Sequence, residues 1–227
     1  LQEPLRKIEA FGDRLVARCA GELSDTGRVY VDRMQDAARR MRCLINDLLT
    51  YSRVTTTARP FAPVDLSRIA REVMSDLQVA IEQADARIVL GELPVIQADA
   101  TQMRQLLQNL LSNALKFRCE SRAPEVRLTG RLYTPERPEH RAAAPRLCEI
   151  TVADNGIGFG QGYVDRIFGI FQRLHGRGEY PGTGIGLATC RKILERHGGT
   201  ITASGRPGEG AVFVCTLPAR QSGDLLR

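Results

Sequence analysis

The sequence predicts an α+β chain in two parts: a helical hairpin, followed by a two-layer α/β sandwich. Three observations carry that reading. Apolar and small residues in the first 52 positions recur at alternating spacings of three and four, a heptad pattern. A stretch rich in threonine and proline, Thr55 to Pro63, then breaks the helical period. Beyond it, segments of helical period alternate with segments of period two, each with one apolar face to cover. At 227 residues the chain has room for both parts.

In chain order, the first seam runs through Leu1, Leu5, Ile8, Gly12, Leu15 and Cys19. After a polar turn near Gly21 to Gly27, a second runs through Val31, Met34, Ala38, Met41, Ile45, Leu48 and Ser52, widened by Ala37, Leu44 and Tyr51. One partner helix cannot cover so wide a stripe, so the hairpin is expected to pair with a second copy as a dimeric four-helix bundle. The hairpin is assigned to 1–58 and a linker to 59–64. Asp65 then opens an amphipathic helix to about Ala86, and Arg87 to Leu90 is a short strand. Asp99, with Gln102 three places on, predicts a capping box for a helix over 100–117. Glu125 to Tyr133 and Leu147 to Ala153 read as paired strands, with a surface insert between them marked by Pro135, Pro138 and Pro145. A helix over 184–197 ends at Gly198-Gly199, and Thr200 to Ser204 and Ala211 to Leu217 alternate as strands. The sandwich therefore occupies 65–220, and 221–227 is a tail.

Composition narrows the function. A net charge of +6 invites nucleic acid as a partner, but the arginines are interspersed with acids and there is no tryptophan, so no nucleic-acid role is expected. No run of about 18 apolar residues is present, so no direct membrane span is expected, and there is no leader pattern at Leu1. The six cysteines form no CxxC pair and four sit inside apolar patterns, which fits reduced thiols and a cytoplasmic location.

The chemistry gathers in four stretches. Gly182-Thr183-Gly184-Ile185-Gly186-Leu187 places a glycine at every second position before a helix, which suits phosphate. On the 100–117 helix, Asn109, Asn113 and Lys116 are spaced four and three and share one face, beside Phe117. An amide oxygen there suits Mg2+, and a lysine supplies a point charge for phosphate. Asp154-Asn155-Gly156-Ile157-Gly158 sets a carboxylate at a strand end beside glycines, able to accept from an exocyclic amine. Asn-Gly after a strand is also a strong hairpin signal. Finally, Phe168, Phe171 and Arg173 precede a glycine-rich charged stretch, Leu174 to Pro181, that reads as a lid anchored by two aromatics.

Together these stretches resemble a family. Asn109-x-x-x-Asn113-Ala114-x-Lys116-Phe117 resembles the N box of sensor histidine kinases, and Asp154-x-Gly156-x-Gly158 the G1 box. Phe168-x-x-Phe171 resembles the F box, Gly182-x-Gly184-x-Gly186 the G2 box, and Gly208-Glu209-Gly210 the last glycine motif. Leu48-Leu49-x-Tyr51-Ser52-Arg53 looks like the end of that family's dimerisation hairpin, and Phe171 to Gly176 is similar to kinases of bacterial phytochromes. The resemblance implies a fold of the gyrase, chaperone and histidine-kinase type. It also implies an ATP-dependent transferase that phosphorylates a histidine of the hairpin and passes the phosphoryl group to an aspartate of a response regulator receiver domain, under an upstream sensor domain. Residue by residue, Asp154 would hold the adenine amine and Asn113 the Mg2+. Asn109, Lys116 and Arg173 would serve the phosphates, and Gly182, Gly184 and Gly186 would let the lid close.

Two departures matter. The family's acceptor motif begins two positions before Leu1, and Leu1-Gln2-Glu3-Pro4-Leu5 supplies only its tail. His140, His175 and His197 do not fit that motif, so residues 1–227 are expected to bind ATP without labelling the usual histidine. Glu3 stands where many relatives carry Thr or Asn to orient a water for dephosphorylation. The alternatives are a non-enzymatic, nucleotide-binding dimerisation module and an ATPase of the gyrase and chaperone type. Against the ATPase, Asn109 holds the place of a water-activating glutamate, and an amide is no general base.

Overall fold

The computed structural model describes residues 2–19, 21–57, 59–135, 146–164, 166–174, 180 and 182–220. The chain divides into two compact units, residues 1–52 and 53–227. Most of the proline-marked insert, residues 175–179 and 181 of the expected lid, His140, His175 and the tail 221–227 lie outside the described residues.

The first unit holds α1 (Gln2–Cys19) and most of α2 (Asp25–Thr56). The two seams divide by heptad position. Leu5, Gly12, Val31 and Ala38 are buried, whereas Ile8, Leu15, Met34, Met41 and Leu48 stay 37–46% exposed. Leu5, Gly12, Val31 and Ala38 thus close the hairpin, and the alternate row remains an apolar face. Gly12 is needed where the helices cross, because a Cβ there would lie 2.8 Å from Gln35 Cγ. The buried Gln35 is satisfied by donating to Asp13 Oδ1 at 2.7 Å, as a buried amide must be.

The second unit is the two-layer sandwich. Its five-stranded sheet has the order β2-β4-β5-β7-β6, with β2 (Arg87–Leu90), β4 (Glu125–Tyr133), β5 (Leu147–Asp154), β6 (Thr200–Arg206) and β7 (Gly210–Pro218). Only β2 and β4 pair in parallel; the other pairs are antiparallel. Alternate residues Cys148, Ile150 and Val152 of β5, with Phe213, Cys215 and Leu217 of β7, form the buried face. Against it lie α5 (Ala100–Lys116), with Met103, Leu106, Leu107, Leu110 and Leu111 buried, and α6 (Gly186–Arg196), with Ile193 and Leu194. α3 (Leu66–Asp76) packs on α5. Each such leucine contributes about 2 kcal/mol of burial.

Several elements differ from the sequence expectation. Where the period predicts one helix from Asp65 to Ala86, there are two. Leu77, at φ −91° and ψ 3°, separates α3 from α4 (Gln78–Gln83), which buries none of its residues. The expected linker gives way to β1 (Ala62–Asp65), which runs one residue beyond it and pairs antiparallel with β3 (Val95–Ala98); neither strand was legible. The capping box at Asp99 is half made. Asp99 Oδ1 accepts from Thr101 N and Gln102 N, but the Gln102 side chain donates to Val54 O at 2.8 Å instead of turning back. The last helix starts at Gly186 because Gly182 and Gly184 adopt φ of +141° and +76°, which right-handed helix excludes.

Candidate functional site

The site residues come from helix α5, the start of α6 and the loops beside them and beyond β5. Asp154 ends β5. Its Oδ1 accepts from Gly156 N at 2.9 Å and Ala211 N at 3.3 Å. Burial, more than anything else, raises its carboxyl above the ordinary aspartate value, and those two amides and the Arg122 charge oppose the rise. Asn155 serves the turn: its Oδ1 accepts from Glu125 N and its Nδ2 donates to Ala123 O. The Asn-Gly pair therefore begins a loop and not a tight hairpin.

That loop lies on the C-terminal end of α5. Ile157 N donates to Phe117 O at 2.9 Å, and a Cβ on Gly156 would stand 2.2 Å from the same oxygen. The final glycine turn closes from the other side, with Gly208 N donating to Ile157 O at 2.7 Å. Gly158, at φ +62°, would bring a Cβ within 2.0 Å of Arg206 O. Glycine is required here for both backbone conformation and room.

On α5, Asn109 Nδ2 donates to Gly186 O at 3.2 Å, joining that helix to the start of α6. A Cβ on Gly182 would lie 2.7 Å from Lys116 Nζ, so this ammonium sits against the glycine stretch. Lys116 Nζ also lies 4.2 Å from the Phe117 ring centroid. Burial first, and the Arg173 charge second, hold Lys116 below the usual lysine range. The Asn113 side chain, half-buried one turn before, makes no hydrogen bond among the described residues, leaving its amide oxygen available. Such an oxygen fits a hard cation like Mg2+.

The aromatic segment meets the same glycines. A Cβ on Gly184 would stand 2.6 Å from Gln172 O. Arg173 Nη1 donates to Gly182 O at 2.9 Å and Nη2 to Tyr180 O at 2.5 Å, so its guanidinium straps the start of the glycine stretch. Tyr180 in turn packs against Phe117, centroids 5.1 Å apart and rings tilted by 52°. Of the two expected aromatic anchors, only Phe168 is buried; Phe171, at φ +62°, is 56% exposed. Thr183 Oγ1 accepts from Ile185 N at 3.4 Å, and Leu187 packs against the core. Asn109, Asn113, Lys116, Phe117, Asp154, Gly156, Gly158, Phe171, Arg173, Gly182, Thr183, Gly184, Gly186 and Leu187 thus fall on segments that touch one another.

Two features had no legible signal. Arg122 donates to Asn155 O, Gly156 O and Gly208 O. At the far ends of α5 and α6, the buried Asp99, Gln102 and His197 form a cluster with the half-buried Arg196. Arg196 Nη1 meets Asp99 Oδ2 at 3.2 Å and Gln102 Oε1 at 2.7 Å, while Nη2 donates to Arg59 O at 2.6 Å.

Comparison with known proteins assigns the chain to a family. Residues 98–221 match the family described as histidine kinase-, DNA gyrase B- and HSP90-like ATPase. The phytochrome-like protein Cph1 of Synechocystis sp. is 35% identical over 218 residues, 96% of this chain and 28% of its own length. Cyanobacterial phytochrome A of Nostoc sp. is 38% identical over 221 residues, 96% of this chain and 27% of its own. The chain thus spans little more than a quarter of these relatives. Among solved structures, full-length ShkA in complex with AMPPNP is 26% identical with a TM-score of 0.68, covering 97% of this chain and 44% of that one.

Proposed function

We propose a function from one premise: this chain belongs to the histidine kinase-, DNA gyrase B- and HSP90-like ATPase family, and is an ATP-binding core of the sensor histidine kinase type. In this reading it binds Mg-ATP, places the γ-phosphoryl group on a histidine of the dimerisation helix, and passes it to an aspartate of a response regulator receiver domain. The carrying observation is the meeting of Asn109, Lys116 and Arg173 with one glycine stretch, through Gly186 and Gly182.

Each residue then has a task its setting supports. Asp154 accepts the adenine amine, because two backbone amides hold one of its oxygens and leave the other for a ligand. Asn113 offers an amide oxygen to Mg2+, which when bound neutralises phosphate charge. Lys116, destabilised as a cation by burial and by Arg173, regains that loss beside a polyphosphate. Arg173 trades its two carbonyl partners for the terminal phosphate, and Gly182 and Gly184 permit the rearrangement. Asn109 orients the phosphate end from the helix face. Transfer of this kind needs chiefly positioning and charge neutralisation, and a neutral imidazole at pH 7 is already a competent nucleophile.

Partners follow from the first unit. The row Ile8, Leu15, Met34, Met41 and Leu48 gives a second copy an apolar stripe to cover, supporting a homodimer through the hairpin. No helix among the described residues is long and apolar enough to cross a membrane. Burial pushes the Cys148 and Cys190 thiols up to about 12, so they stay protonated and inert.

The test uses the chain extended upstream through the acceptor position, incubated with γ-labelled ATP and Mg2+. An acid-labile, alkali-stable phosphate that disappears on Asn113→Ala is the expected result. ATP binding without label overturns the kinase reading in favour of a regulatory module, and fast ATP turnover without an acceptor overturns it in favour of an ATPase.

A further inference from the structure

Arg122 lies in the connection between α5 and β4, outside every motif that points to the nucleotide. Its Nε donates to Asn155 O at 2.7 Å, and its Nη2 donates to Gly156 O at 3.1 Å and Gly208 O at 2.6 Å. These carbonyls belong to two loops that are distant in sequence. Each loop supplies one amide to the Asp154 carboxylate: Gly156 N from the first and Ala211 N, just past the Gly208 turn, from the second. Both amides reach Oδ1, and Oδ2 has no partner among the described residues. The direction in which Oδ2 faces therefore depends on how the two loops stand to each other, and Arg122, beside the backbone bond from Gly208 N to Ile157 O, is a side chain that donates to both.

We infer that Arg122 is a specificity-positioning residue: by bridging the two loops it aims Asp154 at a purine carrying an exocyclic amine, against one carrying a carbonyl at that place. The inference rests on the reading of Asp154 as the adenine contact. A carboxylate accepts from an amine and repels a carbonyl oxygen, so a wrong base leaves buried groups unpaired, which is the strongest source of discrimination available to such a site. The planar fork of arginine reaches several carbonyls at fixed angles; a lysine ammonium is a point donor and holds the loops less well. Arg122 is exposed, so its loss removes the brace and spares the core. Its charge also helps to keep Asp154 ionised against the pull of burial.

The experiment titrates the 227-residue chain with ATP and with inosine triphosphate, which bears a carbonyl in place of the amine. It compares wild type, Arg122→Met, Arg122→Lys and Asp154→Asn, with thermal unfolding in parallel. The expected result for Arg122→Met is a loss of ATP affinity of roughly fivefold to tenfold, the cost of a poorly made charge-assisted contact. Inosine triphosphate affinity should change by less than about twofold, and Arg122→Lys should recover part of the preference. The preference of Arg122→Met for ATP should also fade at a higher pH on the acid side than that of wild type. An unchanged preference in Arg122→Met beside a lost one in Asp154→Asn overturns the role of Arg122 and leaves the adenine reading standing. Equal losses for both nucleotides also overturn it. A wild-type chain that does not prefer ATP, or an Asp154→Asn variant that keeps the preference, overturns the adenine reading itself.

Discussion

The backbone N–H of Asp99 donates to His197 Nε2 at 3.1 Å, while His197 Nδ1 faces Ile193 O at 2.7 Å. One ring nitrogen must accept and the other donate, so the imidazole is neutral in the folded chain. Burial, the largest influence, holds His197 below the ordinary histidine value, with the neighbouring Arg196 charge acting the same way and Asp99 opposing it. A histidine depressed on folding contributes stability that is fully present above its unfolded value of about 6.5 and is lost as pH falls below it. Denaturant melts between pH 7.5 and 5 should show that loss, and His197→Phe should flatten it. The variant should also lose about 1–3 kcal/mol at pH 7.5, because the Asp99 N–H is left buried without its acceptor.

Asp154→Asn should uncouple stability from binding. Its folded carboxyl lies above the ordinary value, so its contribution is favourable at low pH and is lost as pH rises through the aspartate range. The variant is expected to melt no lower than wild type at pH 7 and to bind ATP at least tenfold more weakly. A large drop in melting temperature, read by calorimetry, would contradict this account of the carboxylate.

Lys116→Met should behave alike for the opposite charge. Removing a half-buried ammonium beside Arg173 leaves the nucleotide-free chain as stable or slightly more so. Affinity for ATP should fall by roughly tenfold and become less sensitive to salt. Isothermal titration at two ionic strengths checks both statements.

Two glycines separate conformation from room. Gly208→Ala meets no atom within 4 Å but keeps φ at +78°, and should cost about 1–2 kcal/mol. Gly158→Ala shares the positive φ and also drives a Cβ to 2.0 Å from Arg206 O, so it should cost more and deform the Asp154 loop. Urea melts of the pair give the difference directly.

Met41→Glu, on the exposed heptad row at 45% exposure, should abolish the proposed dimer with little change in helix content. Arg39→Glu, in an exposed ion pair with Asp36, should not. Sedimentation at micromolar concentration distinguishes them.

Much of the architecture is local and was therefore legible. The strands Arg87–Leu90 and Glu125–Tyr133, the strand begun at Thr200 and the helix begun at Ala100 announce themselves through period and caps, which neighbouring residues alone dictate, although the strand from Thr200 runs on past the expected Ser204 to Arg206. The glycine stretches that meet at the site were legible too, because backbone conformation is written into residue type.

What the sequence by itself determined is the order of elements, the apolar faces of the hairpin and the residues proposed to serve phosphate and purine. Only the tertiary structure decided which loop holds which. The pairing of Ala62–Asp65 with Val95–Ala98, the turn of Gln102 toward Val54, the burial of Phe168 without Phe171, and the three carbonyls gathered by Arg122 all join residues without a shared local period. Such contacts cost loop-closure entropy and are favoured only once the core has brought their partners together, so no pattern along the chain foretells them.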